Sequence, residues 1–344
     1  MKTALVIGSA GFIGRHLCPK LKAAGYRVTG VDPKEENITS TSEYYCACTF
    51  EEWLRRANPP GGWVAFDVII HLGVNTYPID KRIGGGLEQY ENILLDYAVA
   101  KCVSEHPPRE CYIWPTSGAC DKWGLENDPY AYSKDVGERF CVALHKQGVP
   151  VVMLRPFGGY GEDQGEGFPF GDILARAMRW EDPLTVWGSL ETARDWVHVD
   201  DIANAFVHAI DHFPRGIPID IGTGVPVTVA QFARWCAEAV GYEPIITCDS
   251  KLPAGGQYRV ADTTLARVHG WEASIAVRDG IWRAIGKPHV YPPPAKTHEY
   301  FDIPAIALGA PPLATMPASV FIEERIERLE REMDIVNELL LVKK

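Results

Sequence analysis

The sequence contains no apolar stretch long enough to span a bilayer, which excludes a conventional transmembrane helix. It opens directly into a strand pattern. No charged segment followed by an apolar core and a cleavage site precedes it, so no secretory leader is expected. Internal repeats and low-complexity tracts are also missing from the first half. Positive charge is scarce: 34 Lys and Arg stand against 45 Asp and Glu, a net charge of −11. That balance argues against nucleic acid or an anionic membrane as the main partner, while leaving room for a local basic pocket. None of the nine cysteines (18, 46, 48, 102, 111, 120, 141, 236 and 248) belongs to a C-x-x-C pair. Most lie in apolar segments, where a free thiol behaves as a small hydrophobe. The expectation is a reducing, cytoplasmic setting and no bound metal.

What is present fits an α/β protein. With 344 residues, 46% of them hydrophobic, the chain can form one large domain with a smaller lobe. Apolar runs of strand length alternate with helical patterns, which points to βα units and a parallel sheet. Strands are predicted at Thr3–Ile7, Arg27–Val31, Tyr44–Cys48, Val68–Leu72, Cys111–Trp114, Val149–Leu154 and Pro218–Ile221. Helices are predicted to about Ala24, then at Phe50–Arg56, Leu87–Ser104, Tyr130–Lys146, Ile173–Arg179, Val199 to about Phe213, and Val229–Val240. Asn58–Gly62 reads as a loop. Gly158–Gly171, rich in glycine, acids and aromatics, reads as a mobile loop that closes the site. This gives a Rossmann-type doubly wound parallel sheet over 1–157, and a mostly substrate-binding lobe over 158–286 with some segments returning to the sheet. A proline-rich connector follows at 287–318. An amphipathic helix closes the chain at 319–344, its stripe running through Ile322, Ile326, Leu329, Met333, Val336 and Leu340.

The first 32 residues read as strand, glycine turn, helix and strand. Gly8 permits the tight turn. Gly11 lets backbone N–H groups approach a pyrophosphate at the helix N-terminus, and Gly14 lets the helix sit close to the sheet. Asp32 ends the second strand, where a carboxylate accepts hydrogen bonds from an adenosine ribose and repels a 2′-phosphate. The expected cofactor is therefore NAD, not NADP.

A second cluster supplies chemistry. Tyr130 and Lys134 are four apart on a predicted helix and share a face. An ammonium beside the phenol stabilises the phenolate, so Tyr130 suits the role of general base. Ser117 stands at the carboxyl end of the preceding strand, where its hydroxyl can hydrogen-bond a reacting oxygen. Taken singly, each has an ordinary structural explanation: a turn hydroxyl, or a half-exposed helix face.

With these motifs in order the chain resembles the extended short-chain dehydrogenase/reductases, specifically the NAD-dependent epimerase/dehydratase family and its UDP-galactose 4-epimerase-like members. The resemblance spans about residues 3–286. It rests on Gly8–Gly14, Asp67–Gly73, Asn92, Ser117, Tyr130 with Lys134, Leu154-Arg155-Pro156, Arg194–Asp201, Ile221–Gly224 and Ala261-Asp262-Thr263 leading to Gly270-Trp271. It implies that Ser117, Tyr130 and Lys134 are catalytic. It also implies that Phe12, Ile13, Asp32, Leu72, Gly73, Asn92 and Lys134 serve the cofactor, and that Arg194 contacts a nucleotide-sugar diphosphate. The family's arginine-glycine-acid segment is replaced by Leu252–Arg259, where Arg259 is taken as the substitute substrate contact.

The chain also departs from that pattern. Gly118 and Ala119 replace the acidic pair that dehydratases carry after the catalytic hydroxyl, which argues against 4,6-dehydration. Cys46–Thr49 stands where the family has an acid near adenine. Cys120 resembles the cysteine of a 3,5-epimerase motif, displaced by one residue, and a thiol acid/base needs surroundings that favour thiolate. The resulting expectation is an NAD-dependent epimerase of a nucleotide-activated or otherwise phosphorylated sugar, working through transient oxidation at C4, as a homodimer. The alternatives are a net sugar dehydrogenase or 4-ketoreductase with the same machinery, a C3/C5 epimerase using Cys120, and a non-catalytic NAD-binding scaffold.

Overall fold

The computed structural model describes residues 1–34, 44–57, 65–76, 90–165, 167–251 and 255–286. The predicted loop at 58–62, the connector at 287–318 and the terminal helix at 319–344 lie outside the described residues, as does the predicted start of a helix at Leu87.

The first half alternates as βα units: β1 (Thr3–Ile7), α1 (Phe12–Ala23), β2 (Arg27–Asp32), β3 (Tyr44–Ala47), α2 (Phe50–Ala57), β4 (Val68–His71), α3 (Glu91–Glu105) and β5 (Cys111–Pro115). A short helix, α4 (Lys122–Asn127), was not evident in the sequence. Asp121 starts it by accepting from the Gly124 N–H at 2.6 Å. Helix α5 (Pro129–Lys146) follows at once, with Asp128 as its N-cap accepting from the Tyr130 N–H at 3.0 Å and Pro129 in the first turn. Strand β6 (Val151–Pro156) is shifted two residues past the predicted Val149–Leu154.

The second half carries β7 (Gly159–Tyr160), α6 (Pro169–Met178), β8 (Leu184–Trp187), β9 (Ala193–Arg194), β10 (Val197–His198) and α7 (Val199–His212). It continues with β11 (Pro218–Ile221), β12 (Val227–Thr228), α8 (Val229–Val240), β13 (Ile246–Asp249), β14 (Tyr258–Arg259), α9 (Thr264–Val268) and α10 (Val277–Ala284).

Seven parallel strands form the main sheet in the order β11-β6-β5-β4-β1-β2-β3. This is the strand order of doubly wound dinucleotide folds with β11 added at one edge. Its central strands β1, β4, β5 and β6 read as nearly unbroken apolar runs because both faces are covered. Ala4 and Val6 of β1 join one core with Leu17, Leu21 and Phe206, while Leu5 and Ile7 join the opposite core with Val99, Tyr112 and Trp114. A third core, built on Tyr160, Phe170, Trp196, Phe232 and Ile281, lies within the second half and leaves the sheet out.

The order reverses between β1 and β4, so their carboxyl ends open the crevice where ligands bind in such sheets. The two strand ends meet through Gly8. Its φ is +84°, and a Cβ there would stand 2.7 Å from the backbone of Leu72 and Gly73. Gly158–Gly171 differs from the predicted loop. Gly159–Tyr160 pairs with Val197–His198, and Pro169–Gly171 is the first turn of α6. Two of the three aromatics in this stretch, Tyr160 and Phe170, are buried and pack edge to face, an order that the surrounding glycines and acids do not announce.

Candidate active site

A single cavity of about 1300 Å³ runs over the carboxyl ends of the strands into the second half of the chain. Pockets for one small ligand occupy roughly 300–1,000 Å³, so this one has room for a dinucleotide and a second molecule.

At its nucleotide end the glycine turn and the first turn of α1 contribute Gly8, Gly11, Phe12, Ile13 and Gly14. Gly11 is the N-cap and supplies no side-chain cap, and the first turn of α1 holds no acid. Its leading N–H groups have no intrahelical acceptor and are left for an anion. A Cβ on Gly14 would lie 2.4 Å from the Gly8 carbonyl oxygen, so only glycine lets the helix approach its own turn. Asp32 lines the same space; it is 6% exposed and accepts from the Ala10 N–H at 3.1 Å and the Lys34 N–H at 2.9 Å. Leu72 and Gly73, after β4, complete this end. The set fits a dinucleotide: an anion cradle at a helix start, and a carboxylate at the end of the next strand.

Asn92 does not face the cavity. It is buried, and its amide binds the backbone of Asn75, accepting from the N–H at 2.7 Å and donating to the carbonyl at 3.0 Å. Asn75 lines the cavity, so Asn92 acts through the segment it holds.

Ser117, Tyr130 and Lys134 all line the cavity. Ser117 Oγ accepts from the Ala119 N–H at 3.1 Å, so it also shapes the turn it sits on. Lys134 is buried; its Nζ donates to the Pro115 carbonyl at 3.1 Å and stands 4.5 Å from the Trp114 ring centroid. Thr116, missed by the sequence reading, lines the cavity beside Ser117 and donates from Oγ1 to Glu138 Oε1. The available signal was the position of Glu138, one helical turn beyond Lys134.

At the far end Arg194 and Arg259 face each other across β9 and β14, and both line the cavity. Arg259 clasps Asp121 through Nε at 2.6 Å and Nη2 at 3.0 Å, a bidentate pair whose acid was not anticipated. Burial, and then the charge of Arg259, lower the Arg194 guanidinium to about 10, so it stays charged at neutral pH while close to a second cation. Arg176 and Trp187 also line this end, with the guanidinium carbon 5.9 Å from the ring centroid.

Cys120 is outside the cavity lining and 6% exposed. Its Sγ contacts Thr116 Oγ1 at 3.7 Å and the Ala131 carbonyl at 3.5 Å, and burial pushes the thiol up to about 12. That is the reverse of what a cysteine acid/base needs. All nine cysteines are free. Among the described residues, no cluster of three metal-ligating side chains occurs and no helix is long and apolar enough to cross a membrane.

A strand–glycine-turn–helix nucleotide cradle and a Ser/Tyr/Lys set on one cavity define the short-chain dehydrogenase/reductase class. The model of the NAD-dependent epimerase/dehydratase family matches residues 4–222, and the chain belongs to that family. It is an NAD-dependent enzyme of the short-chain dehydrogenase/reductase type. Putative GDP-L-fucose synthase 2 of Arabidopsis thaliana is 28% identical over 301 residues, 80% of this chain and 88% of that protein. UDP-glucuronic acid decarboxylase 1 of Xenopus tropicalis is 26% identical over 318 residues, 83% of this chain and 71% of that protein. The rice putative GDP-L-fucose synthase 2 is 30% identical over 161 residues, but this match spans only 46% of that protein's length. The fold is also that of UDP-glucose 4-epimerase from Thermotoga maritima, solved with UDP-glucose. The two superpose with a TM-score of 0.71 at 24% identity, over 83% of this chain and 97% of the other.

Proposed function

We propose that this enzyme epimerises a nucleotide-activated sugar by transient oxidation at C4. The observation that carries the reading is one cavity lined by three groups: the glycine turn with Asp32, the set Ser117, Tyr130 and Lys134, and the Arg194–Arg259 pair. Bound NAD supplies a reversible hydride acceptor. In this account Tyr130 Oη takes the proton from the sugar hydroxyl and returns it after the keto sugar has turned over in the pocket. Ser117 Oγ hydrogen-bonds the reacting oxygen and orients it toward Tyr130. The Lys134 ammonium, held by the Pro115 carbonyl and the Trp114 ring, stabilises the phenolate. Arg194 and Arg259 receive the diphosphate, an anion that relieves the repulsion between two neighbouring guanidiniums. Two relatives, a putative GDP-L-fucose synthase and a UDP-glucuronic acid decarboxylase, are named for nucleoside-diphosphate sugars, which supports this substrate class.

The test uses Tyr130→Phe with a panel of UDP- and GDP-sugars. Turnover should fall by about 10²–10⁴-fold while bound NAD is retained. Undiminished turnover removes Tyr130 from the chemistry. Stoichiometric formation of reduced cofactor by the wild type assigns a net oxidoreductase instead.

A homodimer in the cytoplasm is part of this reading. Free cysteines in mostly buried positions support the reducing compartment. Exposed Tyr90, Leu94 and Tyr97, spaced along the start of α3, support self-association, and light scattering at graded concentrations measures it.

A further inference from the structure

Three consecutive residues at the end of β5 grip one face of α5. Trp114 lies beneath Lys134, and its indole Nε1 donates to Asp96 Oδ1 at 3.2 Å, which fixes the ring. The helix comes so close here that a Cβ on Gly137 would stand 2.3 Å from the Trp114 ring. Pro115 receives Lys134 Nζ on its carbonyl. Thr116, 3% exposed, donates its hydroxyl to Glu138 Oε1, and Arg155 Nη2 donates to the same oxygen at 2.8 Å. Arg155 is tied in turn to Asp220 on β11, with Nη1 to Oδ1 at 3.4 Å. Residue 117 follows directly. Tyr130, Lys134 and Glu138 are spaced at successive i, i+4 positions of α5, so the contacts of Glu138 are made on the row that carries the base.

We propose that Thr116 and Glu138 form a positioning unit that fixes Ser117 against Tyr130, so that the hydroxyl and the phenol close on the same substrate oxygen. The inference rests on the catalytic reading of Ser117 and Tyr130 given above. Lys134 sets how far α5 stands from the end of β5. The Thr116–Glu138 bond sets the rotation and height of the residue just before Ser117, and Arg155 keeps the carboxylate from following the hydroxyl if the turn shifts. Thr116 and Glu138 touch neither substrate nor cofactor in this role. Their removal changes geometry in the turnover step and leaves ligand affinity in place. A displacement of about 1 Å at such a site costs up to about a hundredfold in rate.

The experiment compares Thr116→Val, Thr116→Ser, Glu138→Gln and the Thr116→Val/Glu138→Gln double variant, as full-length NAD-loaded proteins with UDP-glucose. Valine keeps the shape of threonine and removes the donor, which avoids stranding Arg155 as a glutamate truncation would. The expected result is a kcat about 10–100-fold lower in Thr116→Val and Glu138→Gln, with KM and bound NAD within about twofold of wild type. Thr116→Ser should restore kcat, and the double variant should be no worse than the poorer single one. A wild-type kcat in Thr116→Val overturns the proposal. So does a parallel loss of kcat, NAD and thermal midpoint, or a failure of serine to restore the rate. If the wild type itself does not turn over UDP-glucose, the functional reading for that sugar fails separately, and amide hydrogen exchange decides the positioning role. The Gly118, Ala119 and Cys120 amides bond to Pro156 O, Ser117 Oγ and Ser117 O. They should exchange faster in Thr116→Val and not in Thr116→Ser, with α5 unchanged. Equal exchange in both variants overturns the unit.

Discussion

Asp32 performs two tasks with one carboxylate. It accepts from the Ala10 and Lys34 N–H groups, shaping the cofactor turn, and it faces the cavity where a ribose would lie. Replacing it with alanine strands two donors of the turn and removes the charge that repels a 2′-phosphate. Asp32→Ala should destabilise the protein by about 1–3 kcal/mol and narrow its preference for NAD over NADP. Calorimetry and titration of both cofactors measure the two effects, and an unchanged preference would show that Asp32 serves the turn alone. Other residues divide their roles differently. Ser117 lines the cavity while its Oγ accepts from a local N–H, so the proposed catalytic role is compatible with the structural one. Cys120 has only the structural role, enclosed between Thr116 and α5.

Among the elements, α5 is the one whose placement the proposed chemistry depends on. Gly137 is where it touches the sheet most closely, since a Cβ there runs into the Trp114 ring. Gly137→Ala should cost about 1–3 kcal/mol by overpacking and move Lys134 with it, lowering activity and thermal midpoint together. A stable, fully active alanine variant would contradict that packing. The segment after β7 is held differently. Glu162 Oε2 stands 3.0 Å from His198 Nε2, and His198 Nδ1 accepts from the Asp200 N–H at 3.2 Å. Burial depresses the His198 proton affinity, against the opposing pull of the Glu162 and Asp200 carboxylates. A histidine lowered in the folded state binds its proton first in the unfolded chain. Its contribution to stability is therefore complete above about pH 6.5 and is lost as pH falls toward the lower folded value. Asp67 and Asp200, both lowered from 3.8, act below about pH 4 and leave this window clear. Between pH 7 and 5 the wild type should lose a few degrees more of thermal midpoint than His198→Asn, which keeps an acceptor for the Asp200 N–H and does not titrate. Equal slopes would remove His198 as the cause.

At the scale of the whole molecule, local signals and long-range ones separate. The βα alternation, the glycine turn and the Ser/Tyr/Lys order could be read from the sequence because each is encoded within a few residues of itself. Asp121 could not, because its partner Arg259 is 138 positions away and no periodicity links them. Tyr160 and Phe170 were obscured for a related reason. Their burial depends on Trp196 and Phe232 from later elements, while the stretch that carries them is mostly glycines and acids. The resemblance implies a cofactor contact for Asn92, whereas the fold turns its amide onto the backbone of Asn75, a partner that no local pattern signals.

The arrangement along the cavity makes one claim about the molecule: cofactor, base and diphosphate site work on a single sugar that is oxidised and reduced in place. Incubating the purified protein with UDP- and GDP-sugars, without added cofactor, and following the sugar by NMR and the cofactor by absorbance tests it directly. The account predicts many turnovers to a C4 stereoisomer of unchanged mass with no net accumulation of reduced cofactor. Reduced cofactor accumulating one for one with an oxidised sugar, or no conversion across the panel, would contradict it.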